Sequence, residues 1–392
     1  MKKMKKIGVI GVGKLGLSFA LLAENKGYEV WGSDVSEEYI NHLKNKTLKS
    51  NEPYIEEFLK ESKNFHPTVH NVDVIENCDI IFTFVPTPSL PSGEYNHEYV
   101  EEVVDVFDAM YQTGHDLSGK IFVIGCTTNP GYCDTVTERL SEYGMDVCYN
   151  PEFIAQGDIV NGLRYADMVL IGTSSIEEVE RVKDVYKVLM EDENPKFNVM
   201  SNTAAEITKI SVNCYLTTKI SFANMIGEIC HNTGIEDEVS TVLSAIGDDS
   251  RIGKKYLNYG FGFGGPCLPR DNRALGVHAE KVGLEINLPL EVDKFNIEHH
   301  KYLVNKFVQE NPNRDETTFV FNSVTYKMGT DQLTESQQLN LLLSLLAEGY
   351  KCIVIDIDEV KEQLESPLKN TYGDKIVFQS IGTIAEGVKI IL

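Results

Sequence analysis

The tightest constraint on how this chain can fold lies at its N-terminus. Residues 7–10, IGVI, are a short β-rich run, and Gly11-Val12-Gly13-Lys14-Leu15-Gly16 follows at once, leading into an amphipathic stretch at 17–25. Residues 29–32 predict a second strand that ends at Asp34. Strand, G-x-G-x-x-G turn, helix, strand and acidic residue is the order of a dinucleotide-binding βαβ unit. In such a unit Gly11 permits the tight turn, Gly13 lets backbone approach a pyrophosphate, and Gly16 allows helix and strand to pack closely. The helix N-terminus adds amide donors and a positive dipole. Asp34 would accept hydrogen bonds from ribose hydroxyls and repel a 2′-phosphate, which makes NAD the expected cofactor over NADP.

Strand and helix signals keep alternating beyond this unit. Residues 79–85, 121–125, 146–149 and 168–172 predict buried strands, with helices over 99–110 and 176–190. The polar clusters that carry Thr87, Thr127 and Glu152 fall at strand ends, where a doubly wound sheet places its ligands. From about Ser201 the texture changes to a long helical pattern over 204–231, with Glu206, Lys209 and Asn213 spaced to share one face. That face is either a solvated stripe or one that serves a site. A second helical region covers 272–309. After Asn311-Pro312-Asn313, residues 317–322, 352–357, 375–378 and 388–392 predict parallel strands, with a crossover helix over 337–346. The expectation is an α/β fold: two Rossmann-like doubly wound domains joined by a long central helix and a helical middle segment. The boundaries follow as 1–200, 201–310 and 311–392.

One stretch of that middle segment, residues 259–271, reads YGFGFGGPCLPRD. Its glycines allow backbone to approach a ligand, and Cys267 sits near Arg270, where a thiolate is favoured. The alternative is a glycine-rich connection that buries a structural cysteine.

Composition limits the partners. A net charge of −23 argues against nucleic acid and anionic membranes, so an anionic ligand needs a locally basic pocket. The eight cysteines show no metal or disulfide spacing, which fits a reducing cytoplasm and no metal site. The basic start MKKMKK precedes an apolar run too short and glycine-broken for a signal peptide, and no apolar stretch is long enough to span a bilayer.

Together the motifs resemble the UDP-glucose/GDP-mannose dehydrogenase family nearly end to end. They are GVGKLG with Asp34, VPTP at 85–88, CTTNPG at 126–131, NPEF at 150–153, EITKISVN at 206–213, RIGKKY at 251–256, FGFGGPCLPRD at 261–271 and YKMGTD at 326–331. The resemblance implies oxidation of a nucleotide sugar's C6 alcohol to a carboxylate, with two NAD and a thioester on Cys267. It implies that Lys209 and Asn213 stabilise the C6 oxygen, while Asp271, Glu152 and Thr127 position and deprotonate water or the thiol. The cofactor would meet Gly11, Val12, Gly13, Lys14, Leu15, Gly16, Asp34, Val85, Thr87, Thr127 and Arg270. The substrate would meet Glu152, Phe153, Ile154, Lys209, Asn213, Arg251, Phe261, Gly262, Phe263, Gly264, Tyr326 and Lys327. Arg251 resembles an arginine that reaches the sugar of a neighbouring subunit, which implies a homodimer.

The sequence departs from the family pattern at Gln156, where a second acid is usual, at Arg270, where lysine is usual, and at Thr334, where related enzymes have arginine. The RIG motif close to the cysteine loop, with the compact length, resembles the bacterial members that act on UDP-glucose. GDP-mannose or a UDP-N-acetylhexosamine is the alternative substrate. A two-electron hydroxyacid dehydrogenase and a non-catalytic nucleotide-binding protein are the rivals of different class; neither needs Cys267.

Overall fold

The computed structural model describes residues 5–154, 157–192, 194–380 and 389–391. The chain forms two compact units, which divide between Ile210 and Ser211.

The first unit is built on one sheet of eight strands: β1 (Lys6–Ile10), β2 (Glu29–Ser33), β3 (Phe65–Thr68), β4 (Ile80–Thr83), β5 (Ile121–Ile124), β6 (Asp146–Tyr149), β7 (Val169–Thr173) and β8 (Phe197–Met200). Their spatial order is β3-β2-β1-β4-β5-β6-β7-β8. The winding reverses between β1 and β4, which is where an open α/β sheet leaves a crevice for a ligand. Side chains alternate across the strands, and the alternation feeds two cores. Ile7, Val9, Ile121 and Val123 pack on one face with Phe19 and Leu21. Ile10, Phe122 and Ile124 pack on the other with Val104 and Phe107.

Two features here differ from the pattern read in the sequence. The pairing of β6 with β7 is antiparallel, with Tyr149 opposite Gly172. The connection between them holds the six-residue helix Ile159–Arg164, not a longer crossover helix that returns the chain for parallel pairing. Residues 35–78, which fall in none of the expected elements, hold the helices Glu37–Lys44, Ile55–Glu61 and Asn71–Asn77 and the strand β3. β3 contains Pro67 and sits at the sheet edge, the position in a sheet that tolerates a missing N–H.

The helix Asn202–Thr233, 32 residues long, runs through the division between the units. Its one mid-helix glycine has a packing reason, because a Cβ on Gly227 would lie 2.0 Å from the Tyr259 ring. In the second unit, the helical region expected over 272–309 consists of two helices, Leu268–Lys281 and Leu288–Glu310. The break contains Gly283 at φ +85°, and Pro269 and Pro289 each sit in a first helical turn, where proline's missing donor costs nothing. A four-stranded parallel sheet follows, made of β9 (Thr318–Phe321), β10 (Lys351–Asp356), β11 (Ile376–Ser380) and β12 (Lys389–Ile391), ordered β11-β10-β9-β12. The expected strand at 388–392 is described at 389–391; residues 388 and 392 lie outside the described residues. Phe319, Phe321, Leu341, Leu345 and Val354 form the core of this sheet with the helix Gln337–Ala347. No helix among the described residues is long and apolar enough to cross a membrane.

Candidate active site

In the first unit the glycine turn has the geometry a pyrophosphate needs. Gly11 adopts φ +87°, and the amides of Gly11 and Val12 donate to the Ser33 carbonyl at 2.8 and 3.1 Å. A Cβ on Gly16 would stand 2.0 Å from the Gly11 carbonyl oxygen, whereas one on Gly13 would meet nothing within 4 Å. Gly16 is therefore a packing glycine and Gly13 faces open space. The helix Lys14–Asn25 starts there with no side-chain cap and no acidic residue in its first turn, so its N-terminal amides face the opening without a competing anion. Leu15 packs against the core beneath. Asp34 follows β2, half-buried, and accepts from the Ser36 amide at 3.1 Å. Tyr39 donates to the Val12 carbonyl at 2.9 Å; burial first, and then the Asp34 charge, push its phenol up to about 12. This cradle fits NAD. The Gly16→Ala variant should lose about 3 kcal/mol of stability, the upper end for overpacking, because the atom it strikes is backbone. Denaturant unfolding checks the loss, and NADH fluorescence titration should show weakened binding.

The other strand ends supply fixed loops. Val85 packs on the core beyond β4, Thr87 is buried, and Thr127 lies half-buried after β5. The loop that carries Thr127 is tied down by Glu206, whose carboxylate is fully buried. It accepts from the Thr128 hydroxyl at 2.8 Å and from the amides of Gly131 and Cys133 at 2.6 and 2.9 Å. The carboxylate thus sits on the N-terminus of the helix Tyr132–Ser141. Desolvation nevertheless holds it above the ordinary glutamate range. On the other side Asn129 exchanges two hydrogen bonds with the Tyr95 backbone, at 3.0 and 2.9 Å, and donates its amide to His97 Nε2 at 3.1 Å. Burial pulls His97 down to about 4, so its ring is a neutral acceptor, stacked 3.7 Å from Tyr132. Glu206→Gln leaves one of these donors facing an amide N–H, a cost of about 1–3 kcal/mol. Thermal unfolding at neutral pH should show the loss.

Glu152 follows β6. Its Oε1 lies 2.5 Å from the Tyr186 hydroxyl, and burial pushes the carboxyl up to about 7 against the opposing pulls of Tyr186 and Lys209. The Lys209 ammonium donates to the Glu152 carbonyl at 2.7 Å and lies 4.6 Å from the centre of the Phe153 ring. Ile154 packs so closely on Gly162 that a Cβ there would come within 2.6 Å. Beyond it, the buried carboxylate of Glu52 accepts from the amides of Gly157 and Ile159. Gln156 lies outside the described residues. The solvated reading of the polar stripe fails for two of its members, since Glu206 is 0% and Lys209 8% exposed.

In the second unit, Cys267 is the N-cap residue of the helix Leu268–Lys281 and not part of a free loop. It is exposed, whereas six of the other seven cysteines are buried and Cys126 is half-buried. The glycine stretch before it is pinned from outside. Asn224 bonds the Gly260 amide and the Phe261 carbonyl, Asn296 bonds both the amide and the carbonyl of Phe263, and His299 bonds the Gly260 carbonyl. Gly262, Gly264 and Gly265 then have no room for a side chain: a Cβ would meet Asn296 at 2.1 Å, the Glu335 carbonyl at 2.3 Å and the Tyr326 ring at 2.4 Å. Asp271, 1% exposed, accepts from the Asn213 amide at 2.5 Å. Burial first, and then the proximity of Cys267, raise the Tyr326 phenol.

Arg270 reaches back to the Pro266 carbonyl at 3.5 Å, and Lys327 is exposed, with its carbonyl accepting from Thr330. Arg251 is directed to Asp249, with contacts at 3.0 and 2.7 Å, and its side chain is 86% exposed. Asn224, Asn296, His299 and Tyr186 escaped the sequence reading. The signal available was polar side chains spaced i, i+3 or i, i+4 within helical patterns, as Asn224 with Glu228 and Asn296 with His299.

The first unit thus carries the glycine cradle of an NAD-binding domain, and the second carries a pinned glycine loop that ends in an exposed helix-capping cysteine. Residues 5–190 match the NAD-binding domain, and residues 203–298 the central domain, of the UDP-glucose/GDP-mannose dehydrogenase family. The chain belongs to that family, whose members act on nucleotide sugars. It is 28% identical over 370 residues to the UDP-glucose 6-dehydrogenase of Rickettsia felis, covering 92% of this chain and 80% of that protein. Its fold is similar to that of a UDP-glucose dehydrogenase from Pyrobaculum islandicum, with TM-score 0.84 and 24% identity over 99% of this chain and 94% of the other. It is also similar to that of the UDP-D-ManNAc dehydrogenase from Pyrococcus horikoshii, with TM-score 0.76 and 20% identity over 98% of each chain.

Proposed function

We propose that this nucleotide-sugar dehydrogenase oxidises the C6 alcohol of UDP-glucose to the carboxylate of UDP-glucuronate in two steps, with Cys267 as the acyl carrier. The observation that carries this reading is the exposure of Cys267 at the positive end of a helix, where an anionic sulfur is favoured. The first oxidation leaves an aldehyde at C6. The Cys267 thiolate adds to that carbonyl and the oxygen takes a proton, giving a thiohemiacetal; the second oxidation converts it to a thioester, and water then cleaves the C–S bond to release acid and thiol. Residues 11–16 and Asp34 would hold NAD, which when bound would supply the hydride acceptor for each oxidation. Val85, Thr87 and Arg270 are its further proposed contacts.

Lys209 and Asn213 donate to the C6 oxygen as it gains charge. Glu152, Asp271 and Thr127 position the water and receive its proton. Gln156 cannot accept that proton, which leaves the task to the two acids. Phe153, Ile154, Phe261, Gly262, Phe263, Gly264 and Tyr326 line the sugar nucleotide, and Lys327 meets its diphosphate. Arg251, which reaches solvent, serves the site of a second copy in a homodimer. An apolar stripe on the helix Asn202–Thr233 supports that pairing: Tyr215, Phe222, Met225 and Ile229 are 65, 41, 39 and 52% exposed at helical spacing.

UDP-glucose rests on the names of the sequence relatives. GDP-mannose or a UDP-N-acetylhexosamine is the alternative, because Thr334 stands where the family resemblance leads one to expect arginine. Incubation with NAD and a panel of nucleotide sugars, read by mass spectrometry, should give UDP-glucuronate from UDP-glucose. Acid from another sugar alone would replace the substrate and keep the chemistry.

A further inference from the structure

The hydrogen-bond chain behind Glu152 has only one consistent direction. Asn150, 1% exposed, places its Nδ2 2.8 Å from the Leu170 carbonyl, which can only accept. The amide is therefore oriented without ambiguity, and its Oδ1 faces the Tyr186 hydroxyl at 2.6 Å. On its other side the same hydroxyl oxygen lies 2.5 Å from Glu152 Oε1. A phenol carries one hydrogen, and Asn150 Oδ1 can take part only by accepting it. The contact between Tyr186 and Glu152 then needs a hydrogen from Glu152.

We infer that Tyr186, oriented by Asn150, is a positioning residue that holds Glu152 as a neutral carboxylic acid in the resting protein. Tyr186 is 2% exposed, and burial disfavours its phenolate, so it cannot be the charged member of the pair. Among the described residues the charged group that acts on Glu152 is Lys209, which spends a donor on the backbone carbonyl of Glu152. Burial raises the carboxyl to about 7 even against the pull of a hydrogen donated by Tyr186, a pull that is lost when the hydroxyl is turned to Asn150.

The consequence for catalysis rests on the proposed thioester reaction. A protonated Glu152 cannot take a proton from water, so the hydrolytic step gains its base as pH rises through the range where Glu152 ionises. Once Glu152 is an anion, Tyr186 has one hydrogen for two acceptors, and Asn150 competes for it.

Infrared spectroscopy of the resting protein tests the proton directly and needs no turnover. At about pH 6, where an ordinary glutamate is ionised, the wild type should show a protonated-carboxyl stretch that is absent from Glu152→Gln. In Asn150→Leu the Tyr186 hydrogen is released to the carboxylate, and the band should titrate away about one pH unit lower or more. Adding Tyr186→Phe should cancel that shift. If Asn150→Leu does not fold, Tyr186→Phe alone should move the band's frequency, because the acid loses its acceptor. A wild type with no such band overturns the inference. So does a midpoint unmoved in Asn150→Leu, or, if that variant does not fold, a frequency unmoved in Tyr186→Phe. Loss of nucleotide-sugar turnover with the band intact would count against the reaction and not against the proton.

Discussion

Cys267→Ser should fold, bind NAD and sugar nucleotide, and make almost no acid. The reasons lie in its position. Cys267 is exposed, so the substitution opens no cavity, and its carbonyl keeps the bond from the Asp271 amide at 2.9 Å. Serine is moreover a preferred N-cap residue, so stability should be unchanged or slightly higher. A serine hydroxyl is not ionised near neutral pH and adds poorly to an aldehyde. Acid formation should fall by more than about 10³-fold, a scale seen when a covalent nucleophile is lost. Mass spectrometry of the product with a parallel melting curve separates the two effects. Near-normal acid from a folded variant would exclude the acyl-carrier role.

Lys209→Met keeps the aliphatic stem near Phe153 and removes only the ammonium. Two losses follow. If Lys209 faces the developing C6 oxyanion, kcat should fall by about 10²–10³-fold, as when one preorganised donor is removed. The Glu152 carboxyl also loses the charge that opposes its desolvation, so its pKa should rise above about 7. The sign is fixed by the direction of the shift: a raised carboxyl is neutral below its pKa, so the acid limb of the rate profile should move to higher pH. An unchanged kcat with an unmoved limb would remove Lys209 from the site. The Glu152 carbonyl loses its charged donor as well, which costs about 1.5–3 kcal/mol of folding stability; a melting curve separates that loss from the fall in kcat.

What was legible in the sequence was local. The β1 turn, its glycines and Asp34 lie within thirty residues, and Gly11 takes the positive φ and Gly16 the close packing that their positions in the motif require. Strands buried on both faces showed as apolar runs, as at residues 121–124. Residues 35–78 did not, because β3 is a short edge strand containing Pro67, flanked by two helices of only seven residues each. The start of the helix at Leu268 had a signal in Pro269, but the glycines before it drew the reading toward a loop. The partners of Glu206 and Tyr186 left no trace at all. Glu206 bonds residues more than seventy positions away, and Tyr186 meets Asn150 and Glu152 across more than thirty. A polar residue inside a helical pattern looks the same whether it caps a distant helix or faces water. Only the packed structure separates the two.

Stoichiometry tests four-electron oxidation through one cysteine. With limiting sugar nucleotide and excess NAD, the wild-type protein should form two NADH for each molecule of acid, with no free aldehyde accumulating. One NADH per molecule of substrate, with a carbonyl compound as the final product, would contradict it.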